Sequence, residues 1–222
     1  MEVSAVLEAD RLFRFFHAGD DETVALAGVT MHIETGELVA IAGPSGSGKS
    51  TLLACLAGLD EPDGGTVRIA GLTLTRKSER ERARIRAQHV GVLWQNGNLL
   101  DHLRVRDNVL LAQRLAGTVQ KARTDGLLER LGLADRANAW PSTLSGGEAA
   151  RAGLAVALAN DPTVVLADEP TGELDSDAAD DVMALLLEHA AAGHAVAVVT
   201  HADTISRRAD RTIHLRDGRI DT

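Results

Sequence analysis

Eight residues, Gly43-Pro44-Ser45-Gly46-Ser47-Gly48-Lys49-Ser50, constrain this chain most, because they fit the pattern G-x-x-x-x-G-K-[ST] in full. The apolar run Leu38–Ala42 precedes them and the helical-looking stretch Thr51–Ala57 follows. That is the strand–loop–helix setting in which such a loop cradles phosphates. Gly43, Gly46 and Gly48 permit backbone angles that a side chain would forbid, so successive N–H groups can converge on the β- and γ-phosphates. The positive end of the following helix, with Thr51 in its first turn, adds to the field. Lys49 brings a mobile cation, Ser45 and Ser47 line the loop, and the Ser50 hydroxyl is placed to ligate Mg2+. The segment therefore implies binding of a nucleoside triphosphate.

The rest of the chain reads as one α/β core with a helical insertion. Its 222 residues suffice for one large domain, and 45% apolar composition supports a substantial core. Weak alternation at Val3, Ala5, Leu7 and again at Val29, Met31, Ile33 suggests strands. With Thr66–Ala70 after the turn Pro62–Gly65, these form an expected N-terminal antiparallel layer. His89–Trp94 reads as another strand, ending at Gln95. From about Leu99 to Ala159 the pattern turns helical, with Gly117, Gly132 and Pro141 as breaks. Two unbroken apolar runs, Thr163–Ala167 and Ala195–Val199, flank the helix Ala178–Ala192 and suit parallel strands covered on both faces. A hairpin with a glycine turn at Gly218 closes the sequence.

A formal charge of −9 argues against a nucleic-acid partner. The one basic cluster, Arg76–Arg86, carries interleaved glutamates, so it reads as a solvated helix with Glu79–Arg82 and Glu81–Arg84 pairs rather than a lipid or nucleic-acid patch. Cys55 is the only cysteine and sits among leucines, as a buried small hydrophobe would. No apolar run is long enough to span a bilayer, and the first residues lack the shape of a signal peptide. A soluble, cytoplasmic chain is expected, reaching a membrane only through a partner.

Further residues carry chemistry. Leu144-Ser145-Gly146-Gly147-Glu148 opens an alanine-rich helix, so Ser145 can act as N-cap, or the segment can form a second phosphate-binding nest. Val164–Asp168 is an apolar strand that delivers two carboxylates, Asp168 and Glu169, to its tip. Beside the phosphate loop, Asp168 would hold the Mg2+ shell and Glu169 would orient or deprotonate the attacking water. His201 ends the next apolar strand, where it could contact a γ-phosphate or simply form a polar terminus.

In this order the segments resemble the nucleotide-binding domain of ABC transporters over nearly the whole chain. The resemblance makes Gly43–Ser50 the Walker A loop, Gln95 the Q-loop glutamine, Leu144–Glu148 the signature and Val164–Asp168 Walker B. Glu169 becomes the catalytic carboxylate, Leu174-Asp175 the centre of the D-loop and His201 the switch histidine. Phe15-Phe16 occupy the stretch where the family places its base-stacking aromatic, and Phe16 is assigned that role, against the alternative of core aromatics on a strand edge. The implied fold is a P-loop NTPase core with a mainly parallel sheet, an antiparallel β layer (1–95 with 160–222) and an inserted helical subdomain (about 96–159). The stretch through Thr171-Gly172-Glu173-Leu174, with Glu148 in the signature, looks like the lipoprotein-releasing, macrolide-efflux and cell-division branch. Ala149-Ala150 depart from the family's usual Gln-Arg pair, and Trp94 replaces a smaller aromatic before Gln95.

The resemblance implies an ATPase (catalytic Lys49, Gln95, Glu169 and His201) that takes ATP and Mg2+, the metal held by Ser50, Gln95 and Asp168. It also implies a head-to-tail dimer in which Ser145–Glu148 of one copy meet the ATP of the other. The remaining partner is a separately encoded membrane permease, docking on the helical insertion near Leu99, Leu100 and Leu103, with the cassette peripheral on the inner face of the cell membrane. A soluble non-transport ABC ATPase and a regulatory ATP-binding module are the alternatives.

Overall fold

The computed structural model describes residues 5–18, 21–172 and 174–221. Val3 of the expected first strand and Glu173 of the segment after Walker B lie outside them.

Two sheets face each other across a helix. The first is antiparallel, in the order β2-β1-β4-β5, from β1 (Ala5–Ala18), β2 (Asp21–Glu34), β4 (Gly64–Ile69) and β5 (Leu72–Thr73). The second runs β10-β9-β3-β8-β7-β6, from β3 (Leu38–Ala42), β6 (Val90–Leu93), β7 (Val164–Asp168), β8 (Ala195–Val199), β9 (Arg211–Arg216) and β10 (Arg219–Asp221). It is parallel except for the β9–β10 hairpin.

Side-chain alternation along the parallel strands divides the interior in two. Val39, Ile41, Val164, Leu166, Ala195, Ala197 and Val199 turn toward α1 (Lys49–Leu56) and the antiparallel sheet. There they meet Leu52, Leu53 and Leu56, all fully buried and each contributing about 2 kcal/mol by removing apolar surface from water. Leu38, Val165, Ala167, Val196 and Val198 turn the other way, toward α3 (Val105–Ala116), α4 (Lys121–Arg130), α5 (Gly146–Ala157) and α6 (Ser176–Ala191). Every residue of β8 is therefore buried, which is why its sequence is an unbroken apolar run. α3 to α5 lie between β6 and β7 in the chain, with short 3-10 turns at Ala134–Arg136 and Pro141–Thr143.

The basic cluster forms α2 (Glu79–His89), half as expected. Arg82 pairs with Glu79 at 2.8 Å and also with Glu61. Glu81 does not pair with Arg84 as expected: it closes a capping box with Ser78 and lies 3.5 Å from Lys77. His89 ends this helix instead of starting the next strand, which begins at Val90. Cys55 is buried, and that burial pushes its thiol up to about 12.

Candidate nucleotide site

Because β3, β8, β7 and β6 are adjacent and parallel, their C-terminal ends deliver four functional segments to one rim. The phosphate loop follows β3, His201 follows β8, Asp168 and Glu169 sit at the end of β7, and Gln95 follows β6. A cleft of about 790 Å³ opens there, walled by Phe16, Ser45, Gly46, Gly48, Lys49, Ser50, Thr51, Gln95, Asp168, Glu169 and His201.

Gly48 caps α1 in a left-handed conformation at φ +100°, and a Cβ there would meet the Ala25 carbonyl oxygen at 2.3 Å. Gly43 is required for a different reason: a Cβ would lie 2.1 Å from the Leu215 carbonyl oxygen. The loop thus presses against β2 and β9, and of the expected loop residues Gly43 and the buried Ser47 do not line the cleft. Lys49 is buried, and its Nζ donates to the carbonyl oxygens of Gly43 and Pro44 at 2.8 and 2.9 Å. Burial lowers the Lys49 pKa, while the charges of Glu169 and Asp168 act in the opposite direction.

Glu169 adopts φ +46°, a strained value for a residue with a side chain. Its N–H donates to the Val199 carbonyl oxygen at 2.9 Å, which locks the tip of β7 to β8. Glu169 Oε1 is buried and without a hydrogen-bond partner, with His201 Nε2 3.5 Å away. That spacing is beyond a good hydrogen bond, so Oε1 has no partner within the chain, on a residue that forms part of the cleft wall. Gln95 is exposed and borders a second cleft of about 450 Å³, shared with Gly146, Ala149, Ala150, Glu169, Pro170, Gly172 and Leu174. Asn98 braces the Trp94 backbone on both sides, accepting from its N–H at 2.7 Å and donating to its carbonyl at 2.6 Å.

The signature residues do not line the larger cleft. Ser145 caps α5: its Oγ accepts from the Glu148 N–H at 3.2 Å, and Glu148 accepts from the Ser145 N–H at 2.9 Å. That bond and Arg136, at 2.8 Å from Glu148, hold the Glu148 carboxyl below its usual range. Gly146 and Gly147 form the first turn, so the free N–H groups of α5 face outward from an exposed helix end.

Phe16 rather than Phe15 lines the cleft, and Phe15 stacks on Phe13 at 6.4 Å. Sequence reasoning missed Arg14, whose guanidinium lies 4.7 Å over the Phe16 ring. It missed a histidine pair as well. His189 and His194 stack at 4.2 Å beside Asp161, at the opposite ends of β7 and β8 from the cleft. Their rings are 6° from parallel, so the ring lone pairs do not converge as ligands on one ion would require, and His189 Nε2 is engaged with the Pro162 carbonyl at 3.2 Å. Among the described residues no helix is long and apolar enough to cross a membrane.

The model of the family described as ABC transporter matches residues 26–172. The chain is 44% identical, over 97% of its length, to the macrolide export ATP-binding/permease protein MacB of Burkholderia thailandensis, and 42% identical to that of Shigella flexneri. It spans about a third of the length of these proteins (33% and 34%). An uncharacterized ABC transporter ATP-binding protein of Mycobacterium tuberculosis is 40% identical over 99% of this chain and 90% of its own. Among solved structures, a dimeric ATP-binding cassette in a post-hydrolysis state bound to ADP and Pi superposes with a TM-score of 0.91. It is 34% identical, and the match covers 97% of each chain. A second dimeric structure, of a bacterial ABC transporter cassette, matches equally well. With the cleft, its phosphate loop and these likenesses in hand, the chain belongs to the ABC transporter family, as one of its ATP-binding cassettes.

Proposed function

We propose that this cassette hydrolyses MgATP in the 790 Å³ cleft and uses the cycle to drive a membrane permease. The observation that carries the reading is the meeting of Lys49, Ser50, Asp168, Glu169 and His201 around one cleft. The backbone N–H groups of residues 46–51 and Lys49 bind the β- and γ-phosphates, Lys49 leaving its carbonyl partners to do so. Phe16 takes the base.

Ser50, Gln95 and Asp168 line the same cleft and offer a hydroxyl, an amide oxygen and a carboxylate, the hard oxygen donors that suit Mg2+. When bound there, the ion supplies charge compensation for the phosphate oxygens. Glu169 orients the attacking water and accepts its proton, while His201 beside it contacts the γ-phosphate side.

Ser145, Gly146, Gly147 and Glu148 lie off the cleft with an exposed helix end, so they serve the ATP of a second, head-to-tail copy. The Ser145 oxygen already accepts from Glu148, which leaves its O–H to donate outward. Hydrolysis then removes contacts made by both copies and opens the pair. The dimeric cassettes of like fold support this arrangement. We take 1–95 and 160–222 as core and 96–159 as the helical subdomain, with Gln95 as the relay between them. The ATP-binding/permease names of the MacB relatives support a permease partner and a place on the cytoplasmic face of a membrane.

The test is phosphate release by the purified chain. Hydrolysis of ATP that disappears in Lys49→Ala and on Mg2+ chelation supports the proposal. Tight ATP binding with no release from the wild type, alone or dimeric, would make the chain a regulatory binding module.

A further inference from the structure

Phe16 is 43% exposed, yet a base can stack on it only if the ring is held still. The β1 register shifts between Arg14 and Phe15, and the contact itself puts the two side chains together: the Arg14 guanidinium lies 4.7 Å from the Phe16 ring centroid. Phe16 is part of the cleft wall and Arg14 is not, so the guanidinium meets the ring from a position outside the cleft lining. Arg14 is itself fixed. Its Nε and Nη2 donate to the two oxygens of Asp60 at 2.8 and 2.9 Å, and its Nη1 donates to Asp63 at 3.2 Å. This fork-to-fork geometry holds the guanidinium plane as well as its position. Asp63 Oδ2 also accepts from the Phe15 N–H at 2.8 Å, and the Asp63 N–H donates to the Phe13 carbonyl, which ties the same carboxylate to the strand. Asp60 lies in the turn after α1, which ends at Leu56, with its N–H on the Ala54 carbonyl. One helix therefore presents the phosphate loop at its start and, through the turn after it, anchors the Arg14 contact with Phe16.

We infer that Arg14 is a positioning residue for the nucleotide base: clamped by Asp60 and Asp63, it pre-sets the Phe16 ring. The inference rests on Phe16 being the base platform. Pre-ordering the ring lowers the cost of stacking without touching the nucleotide. Every base has a π face, so the effect is the same for ATP and GTP and absent for a ligand with no base.

The experiment measures equilibrium binding of ATP, GTP and inorganic tripolyphosphate to wild type, Arg14→Gln, Arg14→Lys, Asp60→Asn, Phe16→Ala and the double variant Arg14→Gln/Phe16→Ala. Arg14→Gln should weaken ATP and GTP alike by about threefold to tenfold, the range of a cation–ring contact. Tripolyphosphate binding should hold, and KM for ATP should rise with kcat held. Arg14→Lys keeps the charge but loses the planar fork, so it should restore only part of the affinity. Asp60→Asn should show the same base-dependent pattern with Arg14 still present, and Arg14→Gln should add nothing in the Phe16→Ala background. Equal losses for tripolyphosphate, or a further loss in the double variant, would overturn the inference in favour of a general structural role. Unchanged ATP binding in Arg14→Gln, with loss in Phe16→Ala, would also overturn it while leaving the base platform standing. Unchanged ATP binding in Phe16→Ala would sink the platform itself.

Discussion

His201 and Glu169 face each other across the tips of β8 and β7, with His201 Nε2 3.5 Å from Glu169 Oε1 and the His201 N–H 3.4 Å from Oε2. The strained backbone at Glu169, φ +46°, and its bond to the Val199 carbonyl hold the carboxylate at this spot. Glu169→Gln keeps the shape and removes the proposed base. It should lower kcat by about 10²–10⁴-fold while ATP binding survives. The variant should then accumulate as an ATP-bound dimer on size-exclusion chromatography, and near-wild-type hydrolysis would remove Glu169 from the catalytic role.

His189 provides a pH-dependent test on the far side of the same two strands. Burial, helped by repulsion from His194, pushes its pKa down from 6.5 to about 4, against the favourable Pro162 carbonyl and Asp161; Arg130 also disfavours the charge. A histidine kept neutral in the folded state binds fewer protons than in the unfolded chain. Its contribution is therefore intact above pH 6.5 and lost as pH falls toward 4. Linkage gives about 2 kcal/mol lost between pH 7 and pH 5. Urea midpoints at the two pH values should fall further for wild type than for His189→Gln, and parallel losses would contradict the shift.

The sequence made the parallel core legible because β7 and β8 are buried on both faces, and such strands cannot hide polar residues. The 14-residue strands β1 and β2 were only partly legible, for a local reason. A bulge at Arg11, φ +46°, whose N–H donates to the Thr30 hydroxyl, breaks the period-two pattern between Ala9 and Leu12. Glu81 shows the same limit on α2: i,i+3 spacing offered Arg84, and the helix start took the carboxylate for capping instead. In the site, each phosphate-loop and Walker B residue announces itself within its own segment. Arg14 does not, because its meaning comes from Asp60 and Asp63, 46 and 49 residues away.

Docking of the proposed permease is the prediction that reaches outside the cassette. Leu99, Leu100 and Leu103 sit between Gln95 and the signature helix, and their exposures differ. Leu100 is 44% exposed, Leu103 is half-buried and Leu99 packs against the second core. Leu100 is therefore the residue of the three with surface to give a partner, and Leu100→Asp adds a charge there without opening a cavity. Co-purification with the permease should drop while the ATPase activity of the isolated cassette persists. Leu115, 72% exposed, borders a separate groove of about 530 Å³ shared with Leu59, Val156 and Trp94, the last adjacent to Gln95 in sequence. Loss of co-purification in Leu115→Asp with none in Leu100→Asp would move the contact to that groove, where Trp94 could pass closure on from Gln95.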